Sequence, residues 1–196
     1  MLKLGLTGSI ATGKSTVLNM LKAHDIPTFS SDEAVHELYE GDAVAPVDAL
    51  FPGVGASGVI DRAELSQRLL AEPGRLQELE AVVHPLVRAR IAKFLTESEA
   101  SGADIAVVDI PLLYEGGHDW GLDAVIVTAC DPAEQRRRAL ARPGMTDEKL
   151  DAILARQMPQ DEKIARADYV IDTGKPIPDV TLDVTRLVNF WRKTAT

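Results

Sequence analysis

Residues 2–16 read LKLGLTGSIATGKST. Leu2, Leu4 and Leu6 make a short apolar run that stops at Gly8, the pattern of a buried strand. From Lys14 to Ala23 the apolar positions Val17, Leu18 and Leu21 fall on one helical face. Between strand and helix, Gly8-Ser9-Ile10-Ala11-Thr12-Gly13-Lys14-Ser15 fits the phosphate-loop pattern G-x-x-x-x-G-K-[ST]. A strand–loop–helix order aims backbone N–H groups and a helix N-terminus at one point, which suits an anion. Gly8 and Gly13 let the backbone turn closely around it. Lys14 reaches β- and γ-phosphates, and Ser15 is placed to ligate Mg²⁺. The expected nucleotide-binding set is therefore Gly8, Ser9, Ile10, Ala11, Thr12, Gly13, Lys14, Ser15 and Thr16. A plain glycine turn before an ordinary helix competes with this reading, but the flanking strand and helix disfavour it.

Outward from the loop, Ile26–Phe29 is a weak second strand because of Pro27. IAVVD (105–109) and AVIVT (124–128) are continuous and β-branched, as buried parallel strands are, and YVI (169–171) is a fifth. Asp131-Pro132-Ala133-Glu134 supplies an N-cap, a proline at the first helical position and an acid at the third, so a helix begins there. Thr146-Asp147-Glu148 begins another, and Val180, Val184, Leu187 and Trp191 stripe a closing helix. Strand and helix alternate at both ends of the chain, which predicts an α/β fold with a five-stranded parallel sheet flanked by helices.

Residues 30–100 hold helical stripes and no convincing strand: Leu76, Leu79 and Val83, then Val87, Ile91 and Phe94, with His84-Pro85 breaking the two. The expected organisation is a single domain with its core in 1–30 and 101–196, a helical insertion over about 31–100, and a lid over about 138–165. The glycine-rich loop at 52–58 is irregular and reads as a turn, not a second phosphate loop.

A phosphoryl-transfer site also needs a base and cations. Asp32 follows the second strand at the sheet's carboxyl edge, the edge that carries the phosphate loop. Ser30-Ser31-Asp32-Glu33 also reads as a capping box, in which Asp32 merely favours a helix dipole. Residues 135–146 hold Arg136, Arg137, Arg138 and Arg142 and no acid. Arg138 and Arg142 are four apart and share a face, as a lid presenting guanidiniums to a polyphosphate would arrange them; a solvated charged helix is the alternative. Asp109 ends the third strand, either as a Mg²⁺-organising carboxylate or as a strand-end turn residue. His84 reads as a capping or core residue before it reads as a ligand, and His24, His36 and His118 have no metal-binding spacing.

The 196 residues carry 21 basic and 30 acidic side chains, a net charge of −9, with 45% apolar residues. That acidity argues against nucleic acid as a polymer and against an anionic membrane surface. No stretch has the length of a membrane span, and the single Cys130 excludes an intramolecular disulfide. A soluble, cytoplasmic protein is expected. The acidity is local, since residues 30–84 hold 11 acids and 3 bases.

The pieces together resemble the dephospho-CoA kinase family over essentially the full length. The matching segments are LTGSIATGKST (6–16), SSD (30–32), VHPLV (83–87), DIPLLYE (109–115) and ADYVIDTG (167–174). The resemblance implies a P-loop kinase fold with a helical acceptor-binding insertion and a lid. It implies ATP-dependent phosphorylation of the ribose 3′-hydroxyl of 3′-dephospho-CoA, the last step of coenzyme A biosynthesis. ATP, Mg²⁺ and 3′-dephospho-CoA are then its small-molecule partners, and a monomer is favoured. Carried onto this chain, Asp32 takes the place of the catalytic acid and Arg142 that of a lid arginine on phosphate, with Arg138 its companion. Lys14 serves the same chemistry, and His84, Leu112, Tyr114 and Glu115 fall in segments resembling acceptor-pocket elements. The chain departs from the family where Ala11 stands in place of a frequent glycine, Ser30 of an acid and Thr173 of an asparagine. Another small-molecule or nucleoside-monophosphate kinase of this fold is the alternative, and behind it a nucleotide-dependent switch. No N-K-x-D segment for reading guanine is present.

Overall fold

The computed structural model describes residues 1–194. In chain order the elements are β1 (Leu2–Gly8), α1 (Lys14–Lys22), β2 (Thr28–Ser30), α2 (Ser31–Tyr39), α3 (Val44–Leu50), α4 (Arg62–Ala71), α5 (Leu76–Ala100), β3 (Ile105–Asp109), β4 (Ala124–Ala129), α6 (Pro132–Leu140), α7 (Asp147–Leu154), α8 (Gln160–Arg166), β5 (Tyr169–Asp172) and α9 (Ile177–Thr194). The five strands form one parallel sheet in the order β2-β3-β1-β4-β5. Its register sets Leu6 of β1 beside Asp109 of β3, and Gly8 of β1 beside Thr128 of β4. The central strand therefore delivers the 8–16 loop at the carboxyl edge, between the ends of β3 and β4.

Two compact units divide the described chain, Met1–Phe29 with Glu97 onward, and Ser30–Thr96. In the first, α1 and α9 cover the sheet. Leu4, Leu6, Val17, Leu21, Ile105, Val107, Ile126, Val180, Val184, Val188 and Trp191 form its core. Trp191 packs edge-on against Tyr169 with ring centroids 5.2 Å apart. The expected caps are in place: the Asp131 side chain accepts from the Ala133 N–H at 2.8 Å, and Thr146 Oγ1 accepts from the Lys149 N–H at 3.3 Å.

In the second unit, Leu38, Val47, Phe51, Ile60, Leu65, Leu79, Val83, Val87 and Ile91 are buried. The 52–58 loop is a turn, pinned by Asp48 Oδ1, which accepts from the N–H groups of Gly53 at 3.0 Å and Gly55 at 2.7 Å.

Two sequence expectations are corrected. His84-Pro85 does not break a helix, because α5 runs through Pro85 for 25 residues. An interior proline costs about 3 kcal/mol. Buried Leu79, Val83, Val87, Ile91 and Leu95 lie on both sides of it, and their burial offsets that cost. Strand β2 begins at Thr28 instead of Ile26, because Pro27 has no N–H to donate and joins the sheet only through its carbonyl, which accepts from Val107 at 2.9 Å.

Candidate active site

Residues 8–16 wrap the start of α1, whose first amides have no intrahelical carbonyl to donate to. Gly8 is required by packing: a Cβ there would lie 2.2 Å from Thr128 Oγ1 and 2.6 Å from Thr12 Oγ1. Those two hydroxyls bond each other at 2.9 Å, and Thr12 Oγ1 reaches the Ser9 carbonyl at 2.8 Å. Gly13 caps α1 in the left-handed region at φ 81°, with Thr173 filling the space a side chain would need. Ala11 is also left-handed, at φ 62°.

The Lys14 ammonium is ion-paired with Asp109, a buried carboxylate at the end of β3. The register that sets Leu6 beside Asp109 explains the meeting, since both groups leave the sheet at the same edge. Ser15 is exposed in the first turn of α1. Its hydroxyl and the Asp109 carboxylate are hard oxygen donors, the type Mg²⁺ takes, so the donor chemistry fits that ion. No cluster of three or more His, Cys, Asp or Glu side chains suited to a metal occurs among the described residues.

Of the four arginines at 136–142, three are committed to protein partners. Arg136 pairs with Asp151 at 2.9 Å and with Asp147, and Arg137 pairs with Glu134 at 2.7 Å. Arg138 bonds Glu134 at 2.7 Å and also donates to the Thr173 carbonyl at 2.8 Å and to Thr173 Oγ1 at 3.2 Å. Hydrogen bonds from Arg137 and then Arg138 hold the Glu134 carboxyl at about 2, against an ordinary 4.5. Thr173 Oγ1 lies 2.8 Å from the Thr12 carbonyl and 3.1 Å from that of Ala129, so Arg138 braces the loop through Thr173. Arg142, just past α6, is exposed, and its guanidinium has no ion-pair or hydrogen-bond partner among the described residues.

Two glutamines complete the surroundings of the loop. Gln135 Nε2 donates to the Ile10 carbonyl at 2.8 Å, and Gln157 Oε1 accepts from the Ile10 N–H at 2.9 Å. Neither residue stands out in the sequence, because a glutamine on a helical stretch carries no spacing signal; only the fold gives each a partner.

The 110–116 segment is tied to α8. Tyr114 Oη donates to the Arg166 carbonyl at 3.0 Å. Glu115 Oε1 lies 2.8 Å from the Lys163 ammonium, which is fully buried, and accepts from the Met158 N–H at 2.8 Å. Burial works to raise the Glu115 pKa, but Lys163 and the Met158 N–H together hold it below the usual carboxylate value. Leu112 is exposed. Cys130 is buried, which pushes its thiol pKa up; its backbone N–H and carbonyl both bond the Gln160 side-chain amide, at 3.2 and 2.9 Å.

Asp32 and His84 belong to the second unit. Asp32 lies exposed in the first turn of α2, whose N-cap Ser30 accepts from the Glu33 N–H at 3.3 Å. The first unit thus brings together the loop, Asp109, Arg138 and Thr173, with Gln135 and Gln157 added to the expected set.

The dephospho-CoA kinase family model matches residues 2–179. A dephospho-CoA kinase from Rhizobium meliloti (strain 1021) is 53% identical over 95% of this chain and 93% of its own length. One from Rhodopseudomonas palustris (strain CGA009, ATCC BAA-98) is 47% identical over 98% of this chain and 97% of its own. The crystal structure of TT1252 from Thermus thermophilus superposes with a TM-score of 0.81 at 32% identity, covering 96% of each chain. A dephospho-CoA kinase from Campylobacter jejuni shares the fold, with a TM-score of 0.76 at 23% identity over 99% of this chain and 98% of its own. A shikimate kinase from Bacteroides thetaiotaomicron shares the fold more distantly, with a TM-score of 0.56 at 18% identity over 96% of this chain and 98% of its own. With a phosphate loop of the required geometry and relatives matched end to end, the chain belongs to the dephospho-CoA kinase family.

Proposed function

We propose that this chain transfers the γ-phosphoryl group of ATP to the ribose 3′-hydroxyl of 3′-dephospho-CoA, giving coenzyme A and ADP, with Asp32 as the base. The observation that carries the reading is the intact 8–16 loop, with Lys14 and Asp109 at one sheet edge, in a chain that belongs to this family. The first amides of α1 and the Lys14 ammonium receive the β- and γ-phosphates, Lys14 leaving Asp109 to do so. Ser15 and Asp109 are the residues that would hold Mg²⁺, which when bound neutralises charge on the β- and γ-phosphates. Asp32 takes the proton of the 3′-hydroxyl. The ribose oxygen bonds to the γ-phosphorus in line with the breaking bond to the β–γ bridging oxygen, whose electron pair leaves with ADP. Arg142, uncommitted in the α6–α7 connection, closes over the phosphates as the lid's cation. Arg138 acts through Thr173 on the loop.

A coupled ADP-release assay tests this. ADP is expected to form with 3′-dephospho-CoA and not with nucleoside monophosphates, gluconate or shikimate, and the reverse pattern would reject the assignment. Asp32→Asn is expected to lower kcat by about 10²- to 10⁴-fold while nucleotide binding persists. Near-normal turnover in that variant would remove Asp32 from the role.

A further inference from the structure

Ala11 holds a left-handed backbone at φ 62°. For a residue with a Cβ, that region is disfavoured by sterics between the Cβ and the following carbonyl. Such a conformation persists only where its surroundings over-determine it. Here the surroundings are visible, peptide by peptide. The 9–10 peptide is fixed through the Ile10 N–H, which donates to Gln157 at 2.9 Å. The 10–11 peptide is fixed through the Ile10 carbonyl, which accepts from Gln135 at 2.8 Å. The 11–12 peptide is fixed through the Thr12 N–H, which donates to the Ser9 carbonyl at 3.3 Å. The torsion of Ala11 thus lies between two pinned peptide planes, and a third precedes them. Its methyl group packs with Ala139 of α6 and Leu150 of α7, with Ile10, Leu140, Met145 and Leu154 around them.

Both glutamines come from the helical segment that follows β4. Gln135 is buried on α6, and Gln157 is half-buried just beyond the end of α7. We infer that Gln135 and Gln157 are positioning residues, a clamp that holds the strained turn at Ala11 so that the following amides face the phosphates. The clamp is needed because position 11 is alanine, since glycine adopts this conformation without the steric cost. The inference rests on the nucleotide-binding reading of the loop. It adds that the loop's shape is set from α6 and the end of α7, the elements flanking Arg142.

The consequence is a coupling that a merely structural contact lacks: Ala11→Gly makes the clamp dispensable. The test is a double-mutant cycle on the full chain, with Kd for Mg·ADP by calorimetry and the thermal midpoint of each variant. If the clamp offsets the whole left-handed cost, Gln157→Ala and Gln135→Ala raise Kd by roughly 5- to 30-fold in the unaltered chain. In the Ala11→Gly background the same substitutions change Kd by less than about twofold, because the strain that couples them to position 11 is gone, and the cycle is non-additive. Equal losses in both backgrounds, or no loss in the unaltered chain, would overturn the clamp. Should Gln135→Ala fail to fold, Gln157→Ala carries the test, since its half-buried side chain leaves no core cavity. Failure of the unaltered chain to bind Mg·ADP overturns the nucleotide reading and the clamp with it. A normal Kd there with additive losses overturns the clamp alone.

Discussion

Arg138 and Arg142 are four residues apart and alike in the sequence, yet they occupy opposite circumstances. Arg138 is spent on Glu134 and Thr173, and through Thr173 it steadies the Thr12 carbonyl of the loop. Arg142 spends its guanidinium on nothing among the described residues, so it is the one available to an incoming phosphate. Arg142→Ala is therefore expected to lower kcat/KM by roughly 10- to 100-fold, the range for a hydrogen bond to a charged group, with the thermal midpoint unchanged. Arg138→Ala is expected to lower both. Paired kinetics and melting curves check the contrast, and an unchanged midpoint in both variants would put the two arginines in one class. The sequence marks both as a basic face. It does not reveal that Glu134, one turn earlier, takes one of them, because that choice depends on rotamers and on β5 bringing Thr173 alongside. Ala11 and Thr173 are visible in the sequence only as departures from the family pattern; the φ of the first and the hydrogen bonds of the second show what each position does.

Among the elements, α8 ties the first unit together. It reaches β4 through Gln160 and Cys130, and the 110–116 segment through Lys163 and Tyr114. The Lys163–Glu115 pair is the part most exposed to mutation, because Lys163 is fully buried and removing it takes the cation from a largely buried carboxylate that keeps the Met158 N–H. Lys163→Met is expected to destabilise the fold by about 3–5 kcal/mol, while Lys163→Met with Glu115→Leu recovers most of that loss. Urea denaturation measures both, and equal losses would show that packing of the lysine stem, rather than the charge, is what matters. The helices α6 and α7 are legible in the sequence from their caps, and β3 and β4 from their β-branched runs, because each signal is local. The unbroken α5 is not, since Pro85 reads locally as a stop and only burial of the apolar stripe on both sides overrides it. Glu115 likewise sits in a segment that resembles an acceptor-pocket element, while its partners, 43 and 48 residues away, can be found only in the fold.

At the scale of the whole molecule, a chain of net charge −9 takes up a polyanion. The acidity read over residues 30–84 is tempered in the folded unit Ser30–Thr96, which holds 11 acids and 6 bases because the second half of α5 adds Arg88, Arg90 and Lys93. In that unit Arg90 lies 3.0 Å from Asp42 and 3.9 Å from Glu37. The remaining question is local, and the Lys14–Asp109 pair answers it. The resting loop behaves as an ion exchanger already loaded with its own anion. In the proposed reaction the phosphates draw Lys14 away from Asp109, a buried carboxylate, and Mg²⁺ would take the place of that cation. On that reading, nucleotide that brings a divalent ion would bind in preference to nucleotide stripped of metal. Asp109→Asn removes the exchange, and the affinities for ADP with Mg²⁺ and with chelator are expected to converge. A gap between the two titrations as wide as in the unaltered chain would place that preference elsewhere. On the proposed reading, the Lys14–Asp109 contact would make metal-bound nucleotide, over nucleotide stripped of its metal, the currency this loop accepts.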